Sequence, residues 1–179
     1  SLRDGLTGLP NRLYLSEWLE QELRSTRHTD PRVAVLFIDL DRFKLVNDTH
    51  GHEVGDLLLV GVAHRIQACL GEDTRLVRYA GDEFLAFCRE DPIRPTVERL
   101  ARRIQVALRE PFQVGTDRLR ITASIGVAVH RDRETPDELI RRADSAMYDA
   151  KAKDDGRPVL FDEEVHGERF SPATLEPHL

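Results

Sequence analysis

The chain has 179 residues, 40% hydrophobic and 32% charged, with a net charge of −6 at pH 7. That length suits one domain with a sizeable core, and the composition lies far from that of a disordered chain. The acidic balance argues against a nucleic-acid groove as the main function, since duplex binding needs a basic face. Cys69 and Cys88 fit no zinc or redox spacing and read as buried structural thiols of a reducing compartment. No stretch resembles a signal peptide, and no apolar run approaches the roughly 20 residues that span a bilayer. The expectation is a soluble, cytoplasmic domain that contacts neither nucleic acid nor membrane.

Residues 11–24 carry Leu13, Leu15, Trp18, Leu19 and Leu23 as a helical stripe, with Pro10 where a helix begins. Residues 33–38 are too short and too β-branched for a helix and read as a buried strand. A short helical turn is expected over 42–46, then a polar loop over 47–52. Val54, Leu58, Val62, Ile66 and Cys69 recur at helical spacing. Residues 75–89 read as a hairpin that turns at Ala80-Gly81. Val97, Leu100, Ala101, Ile104 and Leu108 mark another helix, closed by Pro111. Residues 119–129 form a strand in which Gly126 is either a bulge or a point of close packing. A last long helix over 136–151 and a short strand over 158–161 complete the series. Alternating strands and helices with one inserted hairpin predict an α/β (α+β) sandwich, a mixed central sheet flanked by helices.

The domain is expected to end near residue 161, with 162–179 a linker. Ser171 and Pro172 there are a good N-cap and first helical residue. A helix beginning as the chain runs out suggests a piece of a longer protein with a further domain downstream.

Two β segments finish in acid: residues 33–38 run into Asp39-Leu40-Asp41, and the hairpin carries Asp82-Glu83. An isolated Asp-Glu pair beside a turn reads as solvated, but a second acid-tipped strand points to a shared oxygen-ligand site. Mg²⁺ takes such sites, with one or two protein carboxylates and the other positions left to water and substrate phosphate.

Five motifs then stand in register: Asp4-Gly5-Leu6-Thr7-Gly8-Leu9-Pro10-Asn11-Arg12, Asp39 to Asp48, Gly51-His52-Glu53-Val54-Gly55-Asp56, Ala80-Gly81-Asp82-Glu83-Phe84, and Ala143 to Lys151. Together they resemble the GGDEF family of diguanylate cyclases, from residue 4 to about 161. The resemblance implies a nucleotidyl-cyclase or polymerase-palm-like fold with the carboxylates beside the hairpin. It implies joining two GTP into cyclic di-GMP with release of two pyrophosphates, each 3′-hydroxyl attacking the α-phosphate of the other nucleotide. Catalysis in this family needs a homodimer, and the tail resembles linkers leading to EAL-type phosphodiesterase domains; a fused sensor domain is the other expected neighbour.

Carried onto this chain, the resemblance makes Asp39, Asp82 and the Leu40 carbonyl ligands of Mg²⁺ (or Mn²⁺), two ions per site. The metals would neutralise the triphosphate and acidify the attacking hydroxyl. Asp82 or Glu83 would accept the proton, and both stay open. Gly81 would allow close approach of phosphate, and Lys44 would supply a point charge to it. Asn47 and Asp56 would read guanine, since a carboxylate accepts from N1–H and the exocyclic amine together, which adenine cannot satisfy. Asp56 also suits a helix N-terminus on dipole grounds alone. His52 would shape the nucleotide loop, and Phe43 would pack more than bind. Lys151 and Arg157 match basic positions that reach the phosphates, with Lys153 as a substitute for Arg157 because the loop between is long.

Two departures stand out. The first glycine of the signature is Ala80; if that position needs φ > 0, a Cβ costs about 1 kcal/mol, and activity would be weakened. The family's Arg-x-x-Asp product-inhibition site is replaced by Gly71-Glu72-Asp73-Thr74, so no feedback through that site is expected. The competing expectation is a GTP-binding regulatory module without turnover, controlling a fused EAL-type domain.

Overall fold

The computed structural model describes residues 1–25, 32–90 and 93–161. Strand β1 (Val33–Leu40) is the hub: every residue but Asp39 is buried. It pairs antiparallel with β3 (Glu83–Arg89) on one side and with β6 (Ala123–Val129) on the other. Outside these, β2 (Thr74–Ala80) joins β3, and β7 (Val159–Leu160) joins β6 in parallel, giving the order β2-β3-β1-β6-β7. This is the mixed sheet that the alternation of elements predicts.

Side chains alternate across a strand, so β1 feeds two cores. Ala34, Leu36, Ile38 and Leu40 face α3 (His52–Gln67) and α4 (Ile93–Leu108). Val33, Val35 and Phe37 face α1 (Arg12–Ser25) and α5 (Pro136–Lys153). Thr135 caps α5, accepting from the Glu138 N–H, and Pro136 follows at the first position.

The polar loop expected over 47–52 is helix instead: α2 (Phe43–His50) runs almost directly into α3. Gly51, at φ 91°, closes α2 by donating to the Asn47 carbonyl and starts α3 in one residue. The hairpin turn falls on Gly81-Asp82 rather than Ala80-Gly81, because Ala80 still pairs with Glu83. The strand expected over 119–129 is split. Residues 112–119 form a separate hairpin, β4 (Phe112–Val114) and β5 (Asp117–Leu119). Past Ala123 the β1–β6 register continues only as an Asp41–Thr122 contact, in which the Asp41 N–H donates to the Thr122 carbonyl at 2.8 Å and the Thr122 hydroxyl donates to the Asp41 carboxylate at 2.7 Å. The linker and the helix start at Ser171 lie outside the described residues.

Gly126 is a point of close packing, with no bulge: it stays in register with Phe37. A Cβ there would stand 2.1 Å from the Ala143 carbonyl oxygen and 2.1 Å from the Met147 nitrogen. Those are backbone atoms of α5, so the helix lies directly on β6 and has no flexible atom to move aside. Gly126→Ala is therefore expected to cost roughly 2–3 kcal/mol by forcing α5 off the sheet. Urea unfolding should show a lowered midpoint at unchanged slope.

Candidate active site

Register alone brings the acids together. Asp39 is the pairing partner of Glu83 across β1 and β3, and the Leu40 N–H donates to the Asp82 carbonyl at 3.2 Å. By strand alternation Asp39 and Glu83 share the α1/α5 face of the sheet. Asp82 occupies the turn itself, after Gly81 at φ 22°. Lys151, in the last turn of α5, places Nζ 3.2 Å from Asp39 and 3.4 Å from Asp41. Asp41 is held in turn by the hydroxyls of Thr122 and Ser124, each donating at 2.7 Å.

The electrostatics of this cluster favour an added cation. Burial, against the pull of Lys151 and with the push of Asp82 and Asp41, holds the Asp39 carboxyl up at about 6. Burial and the charges of Asp39, Asp144 and Asp82 push Glu83 up to about 7. Burial also raises Asp144. Burial would lower the Lys151 ammonium, but Asp39 and Asp41 override it and leave it raised. Among the described residues no three His, Cys, Asp or Glu side chains gather as a ready-made metal cage. Asp39, Asp82 and the Leu40 carbonyl could instead serve as the sparse donor set that magnesium accepts when substrate supplies the rest. An acid cluster whose members hold their protons so tightly fits a divalent ion.

The other expected contacts lie on α2 and α3. The chain leaves β1 at Leu40, passes Arg42 in the left-handed region (φ 56°), and enters α2 with no side chain capping it. The first-turn N–H groups of α2 therefore have no side-chain acceptor from the cap residue. Lys44 is exposed in that turn. Phe43 is buried in the core, as a packing residue. Asn47 is half-buried, its amide oxygen lying over Gly55. His52 and Asp56 are exposed in the first turns of α3.

Arg157 follows α5 in the loop that leads into β7. It borders a recess of about 470 Å³ with Glu98, Arg102 and Leu160, and its loop is held by Arg109 donating to the Gly156 carbonyl at 3.1 Å. Lys153 is exposed. Several partners were not given a role by the sequence reasoning. Asp41 is signalled by the Asp-Leu-Asp alternation, but its hydroxyl partners Thr122 and Ser124 carry no signal. Arg78 donates to the Gly81 carbonyl at 2.9 and 3.1 Å and to the Asp4 carboxylate at 3.1 Å, tying the N-terminal segment to the turn. Thr7 and Arg78 together outweigh burial and hold Asp4 below the usual carboxylate range. Arg12 lies 4.3 Å over the Tyr79 ring, and both line a second recess of about 410 Å³ beside Ala80 and Gly81.

The raised carboxyls link stability to pH with a definite sign. Glu83 rises from 4.5 to about 7 on folding and Asp39 from 3.8 to about 6. The folded state holds these protons more tightly, so stability is full below the unfolded values and is lost as pH rises through the folded ones. In metal-free solution, Glu83→Gln should unfold at higher urea than the parent at about pH 8, with the gap closing towards about pH 5. Urea midpoints of both proteins across that range check it; a gap constant in pH would contradict it.

The family model described as "Diguanylate cyclase, GGDEF domain" matches residues 1–157. The chain is 45% identical over 161 residues to the bifunctional diguanylate cyclase/cyclic di-GMP phosphodiesterase MucR of Pseudomonas aeruginosa, covering 88% of this chain and 23% of MucR. It is 36% identical over 178 residues to the cyclic di-GMP phosphodiesterase PdeR of Escherichia coli, covering 98% of this chain and 26% of PdeR. The chain thus spans about a quarter of the length of these relatives. Its structure superposes on a truncated TpbB (YfiN) of Pseudomonas aeruginosa comprising only the GGDEF domain, with TM-score 0.83, 36% identity, and coverage of 89% of this chain and 94% of that one. With the acid-tipped strands, the signature turn and these matches in agreement, the chain belongs to the GGDEF domain family.

Proposed function

We propose that this domain is a diguanylate cyclase that condenses two GTP into cyclic di-GMP and two pyrophosphates. The observation that supports it most is the convergence of Asp39, Asp82 and Glu83 at one sheet end, beside Lys151 and the uncapped start of α2. Asp39, Asp82 and the Leu40 carbonyl would hold magnesium, two ions per site, with manganese able to replace it. When bound, the ions supply charge neutralisation at the phosphates and a more acidic 3′-hydroxyl. The chain's own groups do the rest. Lys44, Lys151 and the α2 N–H groups bind phosphate, with Arg157 joining from the recess beside β7. Asn47 and Asp56 orient guanine, and His52 and Phe43 shape the wall that carries them. Gly81 presents no side chain to the nucleotide, and one acid of the turn, Asp82 or Glu83, takes the proton.

One nucleotide per protomer makes a facing homodimer necessary, related by a two-fold axis. GTP supply fits a cytoplasmic location. Ala80 retains activity in this reading. It is not left-handed: among the described residues only Arg42, Arg133 and Asp154 combine a side chain with positive φ. Its remaining cost is a methyl group at the edge of the turn.

A second reading is favoured by the relatives, one of which is named as a phosphodiesterase alone. In it the domain binds GTP without turnover and regulates a fused EAL-type phosphodiesterase.

Incubation with GTP and Mg²⁺, followed by chromatography, separates the two. Cyclic di-GMP is expected from the parent, with a loss of about a hundredfold or more in Asp39→Ala and Asp82→Ala. Ala80→Gly should raise the rate severalfold. GTP binding without product establishes the regulatory reading instead. Because Gly71 and Thr74 stand where the inhibition site needs arginine and aspartate, added cyclic di-GMP should leave the initial rate unchanged; inhibition relieved by substitutions at 71–74 would contradict this.

A further inference from the structure

We propose that Gly55 is a specificity-determining residue: its missing side chain leaves the space in which the Asn47 amide is held for the nucleotide base. This rests on the reading of Asn47 as a guanine contact. Gly55 is buried near the start of α3. A Cβ on it would stand 1.8 Å from Asn47 Oδ1, 3.0 Å from Asn47 Cγ and 3.3 Å from Cζ of Phe43. The amide therefore rests on the α3 backbone, inside the volume that any other residue at 55 would fill.

The main chain of Asn47 is not free to yield. It lies within α2, and its carbonyl accepts from the Gly51 N–H at 2.8 Å, which fixes the joint between α2 and α3. Only the side-chain torsions remain. A methyl at position 55 would rotate the amide away and leave both helices where they are, because the obstructing atom is the tip of a short flexible side chain. The Phe43 contact is close but sits at a ring edge and needs a shift of only a few tenths of an ångström. Another glycine of α3, Gly61, has a different neighbour: its Cβ would meet the Phe112 ring at 3.3 Å, a core contact that touches no candidate base reader. Glycine inside a helix is less favourable than alanine. Position 55 therefore gives up helix stability and gains the placement of one polar group, one residue before Asp56.

Binding is read with 3′-deoxy-GTP and 3′-deoxy-ATP, which lack the attacking hydroxyl and cannot be condensed. Isothermal titration in Mg²⁺ compares the parent chain, Gly55→Ala, Asn47→Ala and the double variant, with urea unfolding of each. Gly55→Ala should bind 3′-deoxy-GTP about tenfold more weakly and lose preference over 3′-deoxy-ATP, at an unchanged or higher urea midpoint. The double variant should bind no worse than Asn47→Ala, since the methyl then has no amide to displace. Parent-like binding by Gly55→Ala overturns the proposal, and so does a loss that comes with a lowered midpoint or that adds in full to the Asn47→Ala loss. If Asn47→Ala itself binds and discriminates as the parent does, or the parent binds neither nucleotide, the guanine reading fails first and the role of Gly55 falls with it.

Discussion

The antiparallel register of β1 on β3 decides where the chemistry of this molecule sits. The pairing runs from Val33↔Arg89 to Asp39↔Glu83 without interruption. Because alternate side chains feed different cores, a slip of one residue would drive Asp39 among the apolar residues under α3 and α4 and expel Ile38. Both faces of β1 are buried, so the hydrophobic pattern enforces the register and the register delivers the acids to one another. The two-residue turn then leaves Asp82 one place to go, with its carbonyl taken by the Leu40 N–H. Lys151 depends on the same frame through Gly126, which lets α5 lie against β6 so that its last turn ends beside Asp39 and Asp41.

What this frame assembles is electrostatically uncomfortable. Asp39, Asp82 and Asp144 all raise Glu83, while the cations Lys151 and Arg12 only partly offset the crowding at Asp39 and Glu83. Hydrophobic burial of β1 and β3 stabilises a strand end that like charges oppose. Groups held so far from their ordinary protonation are common where function needs them, because a ligand of opposite charge relieves the strain on binding. The start of α2 likewise lacks a side-chain cap where a Ser or Asp would have added stability.

The elements and the acids were readable because each rests on a local signal: period-2 or period-3.6 patterning, and acid immediately after an apolar run. What escaped depends on partners distant in sequence. The helix over 47–50 looked like a loop because Asn47, Asp48, Thr49 and His50 are weak helix formers; packing of α2 on α3 and the single-residue joint at Gly51 override that. Residues 120–122 look continuous with a strand, but β1 ends at Leu40, and beyond Ala123 the pairing is carried by the Asp41–Thr122 contact. Arg78 reads as an ordinary strand arginine until Asp4 is found across from it. The placement of Arg157 follows from the parallel addition of β7 to β6, a tertiary choice that two apolar residues cannot announce.

Two small residues in the signature show why a departure from a motif must be weighed by its backbone. Gly81 sits at φ 22°, where a side chain is strained whatever space surrounds it. Ala80 is the last residue of β2, exposed, paired with Glu83 and outside the left-handed region. Alanine at 80 therefore meets no conformational barrier, and its penalty is limited to what one methyl does to an approaching nucleotide. A methyl at 81 would act on the turn that positions Asp82, and through it on the whole acid cluster. The substitution this chain carries falls at the tolerant position of the pair, which is why losing the first signature glycine does not by itself argue for a dead site.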